Sequence, residues 1–120
     1  MRLADPPKIE TEEPAAAMFI AMNRFQVKRG HEEEFEDVWR QRESKLAGTP
    51  GFLEFRMLRG PQTEEYTLYA SHTMWTDRES FEAWTRSEAF RQAHANAGDH
   101  KHIYLDRPQF EGFETVDDIT

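Results

Sequence analysis

The chain has 120 residues, of which 38% are apolar and 32% charged, and it contains no cysteine. A chain of this length has room for one domain, and the lack of cysteine excludes disulfides, iron–sulfur clusters and every metal site that needs a thiolate. The formal net charge of −8 disfavours binding to nucleic acids and to anionic membrane surfaces.

The first 17 residues combine proline, charged residues and alanine without apolar periodicity. We therefore expect a flexible leader over 1–17, followed by one domain over 18–120. The longest apolar stretch, Ala15 to Met22, is too short to span a bilayer, and the N-terminus lacks the pattern of a secretory signal. These features favour a cytoplasmic protein without a membrane partner.

A strand is predicted over 18–27, MFIAMNRFQV, because its side chains alternate in character. Asn23 shares one face of this strand with four apolar residues, Phe19, Ala21, Phe25 and Val27. Asparagine is depleted in strands, and an amide among apolar neighbours needs a hydrogen-bond partner. Asn23 is therefore either a structural amide bonded to nearby backbone or a polar group directed at a ligand.

An amphipathic helix is predicted over 31–46, with acidic residues in its first turn and basic residues later, as the helix dipole favours. Its stripe at helical spacing consists of Phe35, Val38, Trp39, Arg42 and Leu46. Two strands follow, FLEFRMLRG over 52–60 and YTLYASHTMW over 66–75. We expect these two strands to form a hairpin about a turn at Pro61.

Two helical segments are predicted before the last strand, FEGFETV. Thr76 begins the capping-box sequence T-D-R-E of a helix that continues through Trp84. Ser87 is a second N-cap residue, so we expect the helix to break there and to begin again over 87–98. This second segment places His94 mid-helix, in a stripe closed by Gly98 that consists of Ala89, Phe90, Ala93, His94 and Ala97.

The order of these elements, β-α-β-β-α-β, predicts an α+β fold of the ferredoxin-like, split βαβ type, with the helices on one face of an antiparallel sheet. Apolar residues occupy both alternating positions of the strands. A sheet with one solvated face should alternate more regularly. The second face is therefore expected to be covered, most simply by a second subunit of a homodimer.

The small neighbours of His94 leave room for a flat macrocycle, although a lone histidine is more often an exposed helical residue. Trp84 lies 10 residues earlier, which on an unbroken helix would separate the two by about 80° and about 15 Å. The break at Ser87 allows both to face one cavity. The alternative for Trp84 is a place in the core.

Motifs for other chemistry are absent from the sequence: it contains no glycine-rich phosphate loop, no G-x-S-x-G and no HExxH. The segment HANAGDHKH supplies His94, His100 and His102. Because Gly98 and Asp99 interrupt the helix, these histidines form no i, i+4 pair of ligands. We therefore do not expect this segment to form a transition-metal site.

Three stretches together resemble the antibiotic biosynthesis monooxygenase superfamily: MFIAMNRF, TPGFLEFRMLRG and SHTMWTDRESFEAWTRSEAFRQAHANAG. Within it they resemble the haem-degrading enzymes typified by the staphylococcal and mycobacterial haem oxygenases. The likeness is nearest to the haem-degrading monooxygenases of rhizobial iron-uptake systems. It extends from Met18 to Glu114.

The resemblance implies a dimeric ferredoxin-like α/β barrel with its functional residues at defined positions. Asn23 matches the catalytic asparagine of the first strand, Trp84 the tryptophan that crowds the ring, and His94 the axial iron ligand. Arg42 matches an arginine that lies near the haem in a mycobacterial relative, where it could pair with a propionate and offset the negative net charge. With Phe90 these residues are the expected haem contacts.

The implied reaction is oxidative opening of haem by O₂ and an external electron donor, either a reductase or a small-molecule reductant. It releases iron and a linear tetrapyrrole, as iron acquisition from haem requires. Three alternatives stay open. A cofactor-free quinol or polyketide monooxygenase would need a pocket but no axial histidine. A haem carrier would need His94 but neither Asn23 nor Trp84, and an interaction module would need none of the three.

Overall fold

A computed structural model describes residues 17–42, 44–95 and 97–119, with the backbone alone at 97–99. The predicted leader over 1–17 falls almost wholly outside these ranges. The elements in chain order are β1 Phe19–Lys28, α1 Glu32–Arg40, β2 Phe52–Gln62, β3 Tyr66–Trp75, α2 Arg78–Thr85, α3 Glu88–Ala93, a 3₁₀ segment Ala97–Ile103 and β4 Gln109–Glu114. No helix in these ranges has the length and apolar character needed to cross a membrane.

The four strands form one sheet in the order β2-β3-β1-β4, and every neighbouring pair is antiparallel. This is the predicted α+β, ferredoxin-like fold, and the predicted break between α2 and α3 at Ser87 is confirmed. The helices pack on the face of β1 that carries Phe19, Ala21, Phe25 and Val27, all of them buried.

The core on this face is divided into two clusters of buried residues. One cluster joins Phe25 and Val27 to Phe35 of α1. The other joins Phe19 and Ala21 to Trp75, Trp84 and their neighbours. Because Ala21 and Phe25 belong to different clusters, the position of β1 between them, residue 23, lies where the two halves of the core meet.

The first helix ends earlier than predicted, at Arg40 instead of Leu46. Lys45 adopts a left-handed conformation with φ of 59°, which a helix does not accommodate. Two tertiary contacts account for the early end. Arg42 reaches the backbone of α3 with its guanidinium, and Leu46 packs against the cluster that contains Trp84.

Two other boundaries were also predicted wrongly. The turn expected at Pro61 lies further on, because β2 continues to Gln62. β2 is an edge strand, where a proline removes no hydrogen bond that the sheet needs. The N-cap of α2 is Asp77, whose carboxylate accepts from the backbone N–H of Ser80 at 2.7 Å, and not Thr76.

The opposite face of the sheet is rich in apolar side chains, as predicted. The strand register places on it Ile20, Met22, Leu58, Ala70, His72, Met74 and Phe113. Leu58 and Phe113 are 40% and 48% exposed. A homodimer formed through this face stays a prediction.

Candidate functional site

Asn23 lies on the helix-covered face of β1, as predicted, opposite Ser71 of β3 and Phe110 of β4. Its side chain is half-buried. Within the described part of the chain, no hydrogen bond is found for its amide. The structural alternative, an amide bonded to nearby backbone, therefore has no support in these contacts. An amide that is both half-buried and unpaired can donate to a ligand on this face.

A series of aromatic contacts leads to Arg42 from Phe25, which lies two residues after Asn23 on the same face of β1. Phe25 contacts Trp39 with ring centroids 5.7 Å apart, and the Arg42 guanidinium lies 4.2 Å from the centre of the Trp39 ring. Arg42 then donates from Nε and Nη2 to the carbonyl oxygen of Ala93, at 3.0 and 2.7 Å. This half-buried arginine thus ties the end of α1 to the end of α3.

A second series of aromatic contacts runs from Trp75 to His94. Trp84 is buried, only 7% exposed, and its ring lies 6.4 Å from Trp75 and 5.7 Å from Phe90, edge to face in the second case. Phe90 in turn lies 4.1 Å from the imidazole of His94. Trp84 and His94 therefore both contact Phe90 and do not need to touch each other.

The break between α2 and α3 produces this arrangement through Ser87. Its hydroxyl donates to the carbonyl oxygen of Trp84 at 2.7 Å and accepts from the backbone N–H of Phe90 at 3.0 Å. One side chain therefore ends the first helix and caps the second. The turn places the Phe90 ring across Trp84.

His94 is the C-cap of α3 and is solvent-exposed, so its predicted place in the middle of a helix is wrong. The helix ends at Ala93, whose carbonyl is bound by Arg42 instead of by a further turn. The end of the helix turns the imidazole outward, to a place where a large ligand could approach it.

The tautomer of the neutral His94 ring follows from its hydrogen bond. Its Nδ1 lies 2.8 Å from the carbonyl oxygen of Phe90, and because a carbonyl only accepts, Nδ1 carries a hydrogen, so that in the neutral ring Nε2 keeps its lone pair. Partial burial of the ring lowers the pKa of His94, and the charge of Arg42 lowers it further, against the hydrogen bond to Phe90. The lowered pKa favours the neutral ring, which is the form in which a histidine binds a metal.

Of the five predicted site residues, four meet around the end of α3, either in direct contact or through one intermediate: Arg42, Trp84, Phe90 and His94. Asn23 is not among them: within the described residues, the contacts nearest to it run from Phe25, two residues later in β1, through Trp39 to Arg42. Two clefts lie between α1, β2 and β3; both are lined by Glu36 and Arg59, and one of them reaches Trp39.

Two residues of this region were not predicted as part of the site. Trp39 supports Arg42, and its spacing of three residues from Arg42 is a usable signal. Tyr104 packs on Phe25 with ring centroids 5.9 Å apart and is close enough to Arg42 for the arginine charge to affect its pKa, which burial raises. Nothing in the sequence around Tyr104 marks it, because that segment has no periodicity.

The family model described as antibiotic biosynthesis monooxygenase matches residues 18–96, a range that includes all five predicted site residues. A similar curated protein is the staphylobilin-producing haem oxygenase of Staphylococcus haemolyticus. It is 32% identical over 79 residues, which are 66% of this chain and 75% of that protein.

Solved structures of similar fold include the haem-degrading protein of Mycobacterium tuberculosis. It is 28% identical, with a TM-score of 0.60 over 88% of this chain and 98% of that chain. A cofactor-independent oxygenase from Streptomyces nogalater is 24% identical, with a TM-score of 0.64 over 87% and 97% of the two chains. At that identity the second likeness supports the fold alone.

Proposed function

Because the chain belongs to the antibiotic biosynthesis monooxygenase family, we propose that it is a haem-degrading monooxygenase. Its substrate is haem, which the enzyme opens with O₂ and an external reductant to release iron and a linear tetrapyrrole. The observation that carries the proposal is the imidazole of His94, which donates from Nδ1 to the carbonyl oxygen of Phe90, has no partner for Nε2 among the described residues, and lies beside an apolar, aromatic surface.

His94 has the hydrogen bonding that is typical of a histidine bound to a metal. Such ligands nearly always donate their second ring N–H to a carbonyl or carboxylate, which fixes the tautomer and the direction of the ring. Here the carbonyl oxygen of Phe90 accepts that hydrogen bond at 2.8 Å. Nε2 is then the atom that would bind the iron of haem, and the ring needs no change of tautomer to do so.

Arg42 would supply the positive charge that an anionic substrate needs on a chain with a net charge of −8. Two of its guanidinium nitrogens bind Ala93, while Nη1 forms no hydrogen bond within the described ranges. We propose that Nη1 donates to a propionate. Because Arg42 also holds the end of α3, the same side chain would position His94.

Phe90, with Trp84 packed behind it, would form the apolar surface on which the ring rests. Phe90 lies between His94 and Trp84, so the shape of the surface next to the iron depends on how Trp84 supports it. Trp84 itself is buried against Trp75. Trp84 would therefore affect the substrate indirectly, because it holds the Phe90 ring in place. It would also exclude water from the space behind Phe90.

Asn23 would act on the distal side of the ring. Bound haem supplies the iron that activates O₂, and what this chain adds is a hydrogen-bond donor at a fixed place. The amide of Asn23 is held on a central strand by β3 and β4. It would donate to the distal ligand and direct the oxidation to one carbon of the ring. We propose that this reaction serves iron acquisition in the cytoplasm.

The test is a titration of the purified chain with haemin, followed in the Soret band, for the wild type and three variants. His94→Ala should abolish the shift of the band, because Nε2 is the proposed ligand. His100→Ala, which removes another histidine six residues later in the chain, is the matched control and should bind normally. Asn23→Ala should bind haemin but lose turnover when a reductant is added in air.

Each outcome separates the proposal from an alternative. A wild type that causes no Soret shift would leave the cofactor-free oxygenase, to be tried with quinol substrates. A His94→Ala variant that binds as tightly as the wild type would show that another residue holds the iron. Normal turnover by Asn23→Ala would remove the role given to that amide.

A further inference from the structure

Three side chains that can bind a metal meet at the start of α1, away from the candidate haem site. The cluster comprises His31, Glu34 and His102. Nδ1 of His31 donates to one oxygen of the Glu34 carboxylate at 3.0 Å, and Nε2 of His102 donates to the other at 2.7 Å. The potential ligand atoms all lie within 4.8 Å of one another.

The cluster is assembled by the fold and not by local sequence. Glu34 and His102 are 68 residues apart in the chain. Each is next to a fully buried residue of one core cluster, Phe35 beside Glu34 and Ile103 beside His102. The packing of Phe35 and Ile103 therefore fixes the two backbone segments from which the side chains extend.

We propose that this cluster is a binding site for a divalent transition-metal ion of the zinc class. The ligands are Nδ1 of His31, Nε2 of His102 and a carboxylate oxygen of Glu34, and water completes the coordination. Two imidazoles with one carboxylate are a usual donor set for such ions. Each neutral imidazole loses to water the proton that faces the carboxylate and takes one from water on its other ring nitrogen, so that the nitrogen nearest the carboxylate has a lone pair for the ion.

The geometry requires only a small contraction. Tetrahedral ligands about 2 Å from a zinc ion lie roughly 3.3 Å from one another. The side chains of His31, Glu34 and His102 are 37%, 44% and 53% exposed, so they have the freedom to close around an ion. The hydrogen bond from His31, followed by that from His102, lowers the pKa of Glu34, which keeps the carboxylate charged.

A bound ion would link the 3₁₀ segment, which carries His102, to the first turn of α1. This segment begins three residues after His94 and leads to β4. The cluster shares no residue with the proposed haem contacts. The histidine segment that the sequence analysis set aside thus contributes one ligand, His102, to a site whose other ligands lie far away in the chain.

The test is a calorimetric titration of the full chain, without an affinity tag, with Zn²⁺. We expect one saturable site, and at least a tenfold loss of affinity in His31→Gln and in His102→Gln. His100→Gln is the matched control, because His100 lies two residues from His102 but outside the cluster. His94→Ala should also keep the site, which separates it from haem binding. Circular dichroism verifies that each variant is folded.

A second readout is the thermal midpoint, which an ion bound only by the folded chain must raise. Zn²⁺ should raise it in the wild type and in His100→Gln, and should leave it unchanged in His102→Gln. The proposal is overturned if the wild type shows no saturable site. It is also overturned if both His31→Gln and His102→Gln bind Zn²⁺ as tightly as the wild type.

Discussion

Arg42 and His94 occupy the C-terminal end of α3, where a helix leaves backbone carbonyls without partners inside the helix. Arg42 satisfies the carbonyl of Ala93 from another part of the chain. The carbonyl of Phe90 accepts both the backbone N–H and the ring Nδ1–H of His94. The bond from Arg42 and the bond from the ring hold the imidazole in one orientation, with no partner for Nε2 among the described residues, so the site geometry is a consequence of how this helix ends.

Replacing Arg42 should therefore cost both stability and affinity. We expect Arg42→Met to lower the free energy of unfolding by about 1–3 kcal/mol, because it leaves a part-buried carbonyl without a donor. Arg40→Met is the matched control. Arg40 is 63% exposed and, among the described residues, forms ion pairs with Glu36 and Asp37 alone, so its loss should cost much less stability than the loss of Arg42.

The measurements are urea unfolding and haemin titration of both variants. Arg42→Met should bind haemin more weakly than Arg40→Met does. Equal unfolding free energies and equal haemin affinities in the two variants would contradict the role of Arg42 at the end of α3.

The sequence predicts some of these residues better than others. The alternation of β1 placed Asn23 on the correct face, because that pattern is local. The contact between Arg42 and Ala93 spans 51 residues, and no periodicity encodes it. The position of His94 at a helix end depends on this contact, and so the sequence alone placed it mid-helix.

At the scale of elements, the caps of the two short helices determine how α2 and α3 are placed. Asp77 caps α2 through the N–H of Ser80, and Ser87 caps α3 through the N–H of Phe90. Both are acceptors at an N-cap, yet only the Ser87 cap controls the turn that sets Phe90 between Trp84 and His94. Comparing variants of the two caps therefore distinguishes an effect on stability from an effect on the geometry of the site.

Ser87→Ala should destabilise the fold by about 1 kcal/mol, the usual cost of losing an N-cap, and Asp77→Ala should destabilise it as well. Only Ser87→Ala should also weaken haemin binding, because it frees the turn beneath Phe90. Thermal unfolding and Soret titration of the two variants measure this difference. The same loss of haemin affinity in both would mean that general destabilisation, and not the turn, is responsible.

Boundaries that local side chains determine were predicted better than boundaries that depend on tertiary contacts. The Ser87 cap and the first residue of β3 were correct because local side chains determine them. The end of α1 was wrong because Arg42 and Leu46 leave the helix for contacts with α3 and the core. β2 continues past Pro61 because it lies at the edge of the sheet. The sequence could not predict this, because composition does not reveal the order of the strands.

At the scale of the whole molecule, the sheet has helices on one face and apolar side chains on both. His72 is on the second face, and its Nδ1 is buried without a hydrogen-bond partner in the described ranges. Leu58 and Phe113 on the same face are exposed. These features favour the homodimer predicted from the sequence.

We expect the chain to sediment as a dimer and Met74→Lys to make it a monomer. Met74 lies on the second face opposite Glu54 of β2, so a lysine there gains an ionic partner in the monomer but would be buried in the dimer. Glu82→Lys, an exposed position of α2, is the control and should stay dimeric. Sedimentation of the wild type as a monomer at micromolar concentration would contradict the prediction.

The carboxyl group of Glu36 makes the stability of the whole fold depend on pH in the acidic range. Its carboxylate accepts from the Tyr69 hydroxyl and from Arg59, which joins α1 to β3 and β2. The bond from Tyr69, then that from Arg59, lowers the pKa of Glu36 from 4.5. A carboxyl group with a lowered pKa stabilises the folded state above its unfolded pKa and loses that contribution as the pH falls through the folded value.

Glu36→Gln should therefore lose stability at neutral pH and show a weaker dependence on pH below 4.5. Urea unfolding at a series of acidic pH values measures both effects. Glu33→Gln, an exposed position of the same helix, is the control and should follow the wild type. Parallel curves for Glu36→Gln and the wild type would show that this carboxyl does not contribute to the acid response.

The central claim is most directly tested by adding ascorbate in air to the wild-type chain loaded with one equivalent of haemin. The account predicts that the Soret band first shifts on binding and then decays, while a ferrous-iron chelator detects released iron and a linear tetrapyrrole appears. A Soret band that shifts but then stays constant, with no iron released, would contradict haem degradation and leave a protein that only carries haem.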